Sequence, residues 1–91
     1  MRIRVEVPEY RPADGFRFVW EDGFLLQVVT DGDGVILRGN GPGLVSLARH
    51  LLALARPDHA GGHHFHLDES NSLEAGSVEL IVERIPDPVP S

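Results

Sequence analysis

Apolar and polar residues alternate along several short stretches of the chain, and this period of two predicts β-strands. In the first stretch, residues 2–7, the apolar residues Ile3, Val5 and Val7 fall on one face. Further stretches of strand character lie at residues 16–21, 24–30, 35–38, 63–67 and 77–84. Short turns rich in glycine and aspartate separate the earlier stretches, which predicts tight hairpins and therefore an antiparallel arrangement.

Between Gly43 and Pro57 the apolar residues follow the three-and-four spacing of an amphipathic α-helix. The glycine-rich segment 39–43 breaks the preceding strand, and Pro42 suits a first helical turn, where its missing N–H costs nothing. The predicted buried stripe consists of Leu44, Leu47, Ala48, Leu51, Leu54 and Ala55. The same spacing turns the other helical residues away from the stripe, namely Ser46, Arg49, His50, Ala53 and Arg56.

Together these elements predict an α+β domain, in which an antiparallel sheet of about six strands carries one long helix on one face. Residues 1–85 are expected to form this single domain and residues 86–91 a proline-rich, flexible tail. The strand pattern places a set of apolar residues on the opposite sheet face: Val19, Leu25, Val29, Ile36 and Ile81. This open face, if the residues cluster there, or an exposed edge strand predicts an interface for a homodimer. The alternatives are that strand register scatters these residues singly or that loops cover them.

The composition limits what the surface is expected to bind. The 91 residues include no cysteine and no apolar run near the ~18–20 residues that span a bilayer, which predicts a cytoplasmic protein without a membrane partner. The formal net charge is −6, and all eight basic residues are arginine. An acidic surface repels phosphate backbones, so nucleic acid is not expected as a partner, whereas a basic protein is favoured. A charge of this size can also serve solubility alone.

The segment 62–69 has the most unusual composition in the chain, with three histidines and two acidic residues. On a strand, His64, His66 and Asp68 share one face at intervals of roughly 6.6 Å. Two imidazoles and a carboxylate are ligands that zinc and other divalent metals accept. One hypothesis is therefore a divalent-metal-binding module built on this strand.

A second interpretation of the same segment is structural. Phe65 and Leu67 would anchor the strand in the core, and the histidines would then cover its solvated face. A metal site would also need a further ligand, for which His50 and His59 are the candidates. No serine or carboxylate arrangement in the chain predicts a catalytic centre, so neither an enzyme nor a bound cofactor is expected.

Several short motifs lie between residues 35 and 83. They are Gly39-Asn40, the leucine-rich helix from Leu44 to Leu54, His64-x-His66-Leu67-Asp68-Glu69, Asn71-Ser72-Leu73-Glu74 and Gly76-Ser77-Val78-Glu79-Leu80. In these motifs the chain resembles the immunity protein 32 family of bacterial polymorphic toxin systems. The resemblance implies a small non-catalytic protein that binds and neutralises a toxin carried by the same or a neighbouring cell.

The residues themselves indicate where such a partner would bind. His64, His66, Asp68, Glu69 and Glu74 form a candidate patch of imidazole and carboxylate groups. Carboxylates in that role would mimic phosphates and occupy the basic substrate cleft of a nuclease toxin.

Overall fold

The computed structural model describes residues 2, 4–8, 16–56 and 63–88. Its elements, in chain order, are β1 (Leu26–Asp31), β2 (Gly34–Gly39), α1 (Gly41–Leu54), β3 (His64–Leu67) and β4 (Leu80–Glu83). The strands form two antiparallel pairs, β1–β2 and β3–β4. The α+β class is confirmed, but the prediction of about six strands in one sheet is wrong for the described residues, which contain four strands in two sheets.

The hairpin between β1 and β2 follows the predicted tight turn. Its closing pair is Asp31 opposite Gly34, so only Gly32 and Asp33 lie in the loop. Gly32 has a φ of 60°, a conformation that a side chain at this position would strain. Glycine at the first central position of a two-residue loop is typical of a type II′ turn, whose twist matches that of the strands.

Asn40 fixes the start of α1 against the turn that precedes β1. Its Oδ1 accepts hydrogen bonds from the backbone N–H groups of Gly43 at 2.8 Å and Leu25 at 2.9 Å. Its Nδ2 donates to the carbonyl of Gly23 at 2.9 Å. The backbones approach so closely here that a Cβ on Gly43 would lie 2.1 Å from the Leu25 carbonyl oxygen. Asparagine therefore caps the helix and joins it to another part of the chain.

The core lies between β1, the helix and the β3–β4 hairpin. Its buried apolar side chains are Leu26, Val28, Leu47, Leu54, Phe65, Leu67 and Leu73, and Phe16, Trp20, Leu80 and Val82 pack against them. Among the described residues, no helix is long and apolar enough to cross a membrane.

The helix buries only part of the stripe that its apolar spacing predicts. Leu47 and Leu54 of the predicted stripe are buried, but Leu44 and Leu51 are 46% and 43% exposed. In their place the helix buries polar and charged side chains that were predicted to face elsewhere, namely Ser46, Arg49 and His50. The predicted stripe is therefore wrong in part, and its centre is rotated toward these three residues.

An extended segment at residues 16–21 explains this rotation. Its Val19 N–H donates to Nε2 of His50 at 3.0 Å, and its Glu21 N–H donates to Oγ of Ser46 at 2.9 Å. Helix side chains thus take the hydrogen bonds that a neighbouring strand would otherwise supply. For this reason the second predicted strand does not form.

Arg49 continues this polar contact toward the N-terminal residues. It donates to the carbonyl groups of Glu6 at 3.0 Å and Val19 at 3.2 Å, and it pairs with the Glu21 carboxylate at 2.6 Å. The first predicted strand, at residues 2–7, is absent from those of its residues that the structure describes.

The chain segment at residues 74–78 connects the two sheets. Glu74 N–H donates to the Leu26 carbonyl at 2.9 Å, and Val78 N–H donates to the Val28 carbonyl at 2.8 Å. Val28 N–H in turn donates to Oγ of Ser77 at 3.2 Å. Because these residues bond to β1, β4 begins only at Leu80, three residues later than predicted.

The C-terminal part of the described chain closes on the end of the helix. Arg84 donates to the carbonyl of Leu54 at 2.8 Å and of Arg56 at 3.1 Å, and pairs with Asp87 at 2.9 Å. An arginine placed there satisfies carbonyl groups that the last helical turn leaves unpaired. The division into a domain at residues 1–85 and a tail at residues 86–91 stays a prediction.

Candidate binding surface

The β3–β4 hairpin has one buried and one exposed face. Phe65 and Leu67 are 3% and 1% exposed, so they anchor the strand as predicted. His64 and His66 point to the opposite, exposed face. The alternation of the strand therefore separates the two apolar anchors from the two imidazoles.

The pairing of β3 with β4 brings carboxylates beside these imidazoles. His64 lies opposite Glu83, and residues directly opposite in an antiparallel pair share a face. The His66 Nδ1 lies 3.5 Å from Oε2 of Glu79, and the two imidazole centroids are 4.9 Å apart. We call the surface formed by His64, His66, Glu79 and Glu83 the imidazole–carboxylate face.

Asp68, although next in the alternating pattern, serves the turn that follows β3. Its carboxylate accepts hydrogen bonds from Ser70 N–H at 2.9 Å, Ser70 Oγ at 2.6 Å and Asn71 N–H at 3.2 Å. The Ser70 hydrogen bonds, followed by those of Asn71 and the charge of His66, lower the pKa of Asp68. Asp68 is therefore ionised at neutral pH, and its carboxylate stabilises the turn.

The other two acidic candidates, Glu69 and Glu74, have their own surroundings. Glu69 accepts a hydrogen bond from Gly76 N–H at 3.0 Å and closes the loop at residues 69–76. Glu74 lies at a separate open cleft beside β1, lined by Leu25, Leu26, Gln27, Arg38, Gly39, Asn40 and Glu74. His64 and His66 thus lie on the exposed face of β3, Asp68 and Glu69 in the turns that follow, and Glu74 at this cleft. That these five residues contact a partner stays a prediction.

The loop at residues 69–76 contains the spacing Asn71-x-x-Glu74, which is typical of a helix N-terminus. The described residues form hydrogen-bonded turns there and no helix. Asn71 accepts from Asp68 N–H and donates to the His66 carbonyl, both at 3.0 Å. Asn71 therefore folds back on the end of β3, which prevents it from capping residues that follow.

The predicted metal ligands do not converge. Among the described residues, no three histidine, aspartate or glutamate side chains are arranged to hold a metal ion. His64 and His66 lie together, but the Asp68 carboxylate is bonded within its own turn. His50 is buried in the core, and His59 lies outside the described residues.

His50 is the most unusual buried group. It is fully buried, its Nε2 accepts the Val19 hydrogen bond, and its Nδ1 has no partner among the described residues. The rings of Trp20 and Phe18 have their centroids 4.4 Å and 5.1 Å from the imidazole. Burial, with a smaller effect of the Arg49 charge, lowers the pKa of His50 to about 4. The group is therefore neutral at physiological pH.

Two residues of the imidazole–carboxylate face were not among the predicted site residues. The alternation at residues 77–84 places Glu79 and Glu83 outward, and that signal was available in the sequence. Only the structure shows that they lie beside the two histidines: Glu83 is opposite His64 in the strand register, and the Glu79 carboxylate lies 3.5 Å from the His66 ring.

These elements define a small α+β domain that displays an exposed imidazole–carboxylate face. The sequence model of the Immunity protein 32 family matches residues 34–85, which is more than half of the 91-residue chain. The chain therefore belongs to the Immunity protein 32 family, and the resemblance seen in its motifs is confirmed. No curated protein and no solved structure matches it.

Proposed function

We propose that this protein is an immunity protein that binds and neutralises a protein toxin of the same or a neighbouring bacterial cell. Family membership supports the class of function. The observation that carries the proposal further is the imidazole–carboxylate face, which stands on a hairpin anchored by Phe65 and Leu67. Because its anchor residues are buried, the face needs little ordering on binding, which favours affinity.

Charge supports a basic toxin as the partner. The whole chain carries a net charge of −6, and Glu79 and Glu83 add two carboxylates to the exposed hairpin face. Nucleases bind phosphate backbones with basic clefts, and complementary charge both accelerates association and selects the partner. We infer that the carboxylates occupy the place of phosphates in such a cleft, so binding alone, without catalysis, explains the protection.

The five predicted contact residues have different roles in this proposal. His64 and His66 contact the toxin together with Glu79 and Glu83. Asp68 and Glu69 fix the adjoining turn, and their outer oxygen atoms extend the acidic surface. Glu74 forms a second contact area at the cleft beside β1.

The test of the immunity function is co-expression. The open reading frame next to the gene for this protein is expressed alone and together with it, and cell growth is followed. Growth arrest by the neighbour and its relief by co-expression are the expected results. A harmless neighbour, or one that kills regardless, would remove the immunity proposal.

The binding surface is tested by charge-neutralising variants of equal size. Glu79→Gln combined with Glu83→Gln should reduce protection from the toxin and weaken binding about tenfold or more. The matched control is Asp22→Asn combined with Asp33→Asn, which makes the same change in net charge on other exposed turns. If both pairs weaken binding equally, net charge and not this face is responsible.

A further inference from the structure

One edge of β2 is open as far as the described residues show. On one side β2 pairs with β1, and no described residue pairs with its other side. The turn hydrogen bond directs the Gly34 N–H toward Asp31, and backbone groups alternate between the two sides of a strand. Val35 and Leu37 therefore direct their N–H and C=O groups to the open edge. The Val35 side chain is 65% exposed as well, so this edge is a template for another strand.

The sequence of β2 is complementary to itself when two copies run antiparallel about a two-fold axis at Ile36. In that register Val35 of each copy lies opposite Leu37 of the other. Both residues present their backbone groups to the shared edge, so each such pair forms two hydrogen bonds. Their side chains lie on the same sheet face as Val28, because Leu37 is opposite Val28 in β1. Two apolar pairs would thus extend the face that carries the core.

The same register also pairs charges on the opposite face. Arg38 of one copy lies opposite Gly34 of the other, and Gly34 is in turn opposite Asp31 in β1. Since glycine has no side chain, Arg38 can reach over it to Asp31 of the second copy, two strand spacings or about 10 Å away between backbones. Two-fold symmetry makes this contact twice.

The ion pairs of the described residues do not include these two charged groups. Among the described residues neither Arg38 nor Asp31 forms an ion pair. Arg38 has only a long contact of 3.5 Å between its Nη1 and Oε1 of Gln27. β2 is an apolar edge strand with Arg38 near one end, and beside its other end β1 holds Asp31. This arrangement is complementary to a second copy of itself.

We propose that this protein forms a two-fold dimer by antiparallel pairing of β2 with β2 of a second copy. The product is a continuous four-stranded sheet in the order β1–β2–β2–β1. This inference goes beyond the immunity function and does not rest on it, because the imidazole–carboxylate face lies on the other hairpin. The dimer would display two such faces.

The test measures the mass of the full chain by light scattering over a range of concentrations. The monomer has a mass of 10.0 kDa, and a two-fold dimer has about twice that. Leu37→Pro removes an N–H that faces the open edge and spares the ladder with β1, so it should shift the protein to monomer. Circular dichroism is the control that checks whether the variant retains the fold. Leu37→Val, which keeps that N–H and an apolar side chain, should remain dimeric and is the matched control.

A charge exchange identifies the register. Asp31→Arg and Arg38→Asp should each weaken the dimer on the order of tenfold or more, since each replaces two attractions by two repulsions. The double variant should restore the dimer, because the pair is re-formed between copies with its signs exchanged. A protein that is monomeric at all concentrations overturns the proposal. If neither single substitution weakens the dimer, or if the double substitution does not restore it, this interface is wrong.

Discussion

His50 should make the stability of this protein fall on mild acidification. The imidazole is fully buried among aromatic rings, and its pKa in the folded state is lowered to about 4 from an ordinary 6.5. The unfolded chain therefore takes up a proton at a higher pH than the folded chain does. Neutral His50 contributes stability that is fully present above about pH 6.5 and is lost as the pH falls through about 4.

The size of this effect follows from the difference in pKa. A displacement from 6.5 to about 4 corresponds to roughly 3 kcal/mol when each unit is worth about 1.4 kcal/mol. A domain of this length has a free energy of unfolding on the order of 5 kcal/mol at neutral pH. Titration of this single residue should therefore remove about half of the stability.

The assay is urea unfolding at several pH values between 7.5 and 4, followed by fluorescence of Trp20. This is the only tryptophan in the chain, and its ring centroid lies 4.4 Å from that of His50. His50→Gln keeps an acceptor for the Val19 N–H but cannot titrate. It should be less stable at pH 7.5 by roughly 1–2 kcal/mol and nearly independent of pH in this range. His66→Gln, on the exposed face, is the matched control and should retain the pH dependence.

Two results would refute this reasoning. One is a wild-type free energy of unfolding that stays constant between pH 7 and pH 4.5. The other is a His50→Gln variant that loses stability in parallel with the wild type. Asp68 does not contribute to the change in stability between pH 7 and pH 4.5, because its pKa is lowered below the ordinary 3.8. The stability that its turn gains from the carboxylate is present above pH 3.8 and is lost only as the pH falls further.

Substitutions at three positions test how the helix is held. Gly43→Ala places a Cβ 2.1 Å from the Leu25 carbonyl oxygen and should cost about 3 kcal/mol or more; urea unfolding with a smaller loss would mean that the backbones can separate. Asn40→Ala removes three side-chain hydrogen bonds and should cost about 2–3 kcal/mol. Asn40→Asp, which keeps both acceptor contacts, should cost less in the same assay, and the reverse order would contradict the capping role. Arg84→Leu removes the donor to two carbonyls at the helix end and should lower stability by roughly 1–2 kcal/mol; an unchanged urea midpoint would show that water replaces it.

The fold could be predicted from the sequence where local patterns decide it. The Asp-Gly pairs gave the β1–β2 hairpin, and the three-and-four spacing gave the helix. The orientation of that helix was missed because hydrophobic periodicity counts only the burial of side chains. Ser46 and His50 are buried because the backbone of residues 16–21 needs hydrogen-bond partners. That need arises from a contact between distant parts of the chain, which a local pattern cannot show.

The candidate site, too, could be predicted only where a local sequence pattern decides the structure. A period of two was enough to place His64 and His66 on one face, opposite the anchors Phe65 and Leu67. It could not show that the Asp68 carboxylate turns to Ser70, because a strand pattern assumes that the strand continues. The strand ends at Leu67, and beyond it the local turn decides the direction of each side chain.

The position of β1 has a consequence for the smallest unit that can fold. β1 lies between β2 and the segment at residues 74–78, which bonds to it mainly through backbone groups. It also supplies Leu26 and Val28 to the core, although the family match begins only at residue 34. We therefore expect that residues 34–85, the part that the family model matches, do not fold without β1. A backbone-bonded strand can also change many of its exposed side chains without losing its place, so preceding strands of dissimilar sequence could complete the same domain.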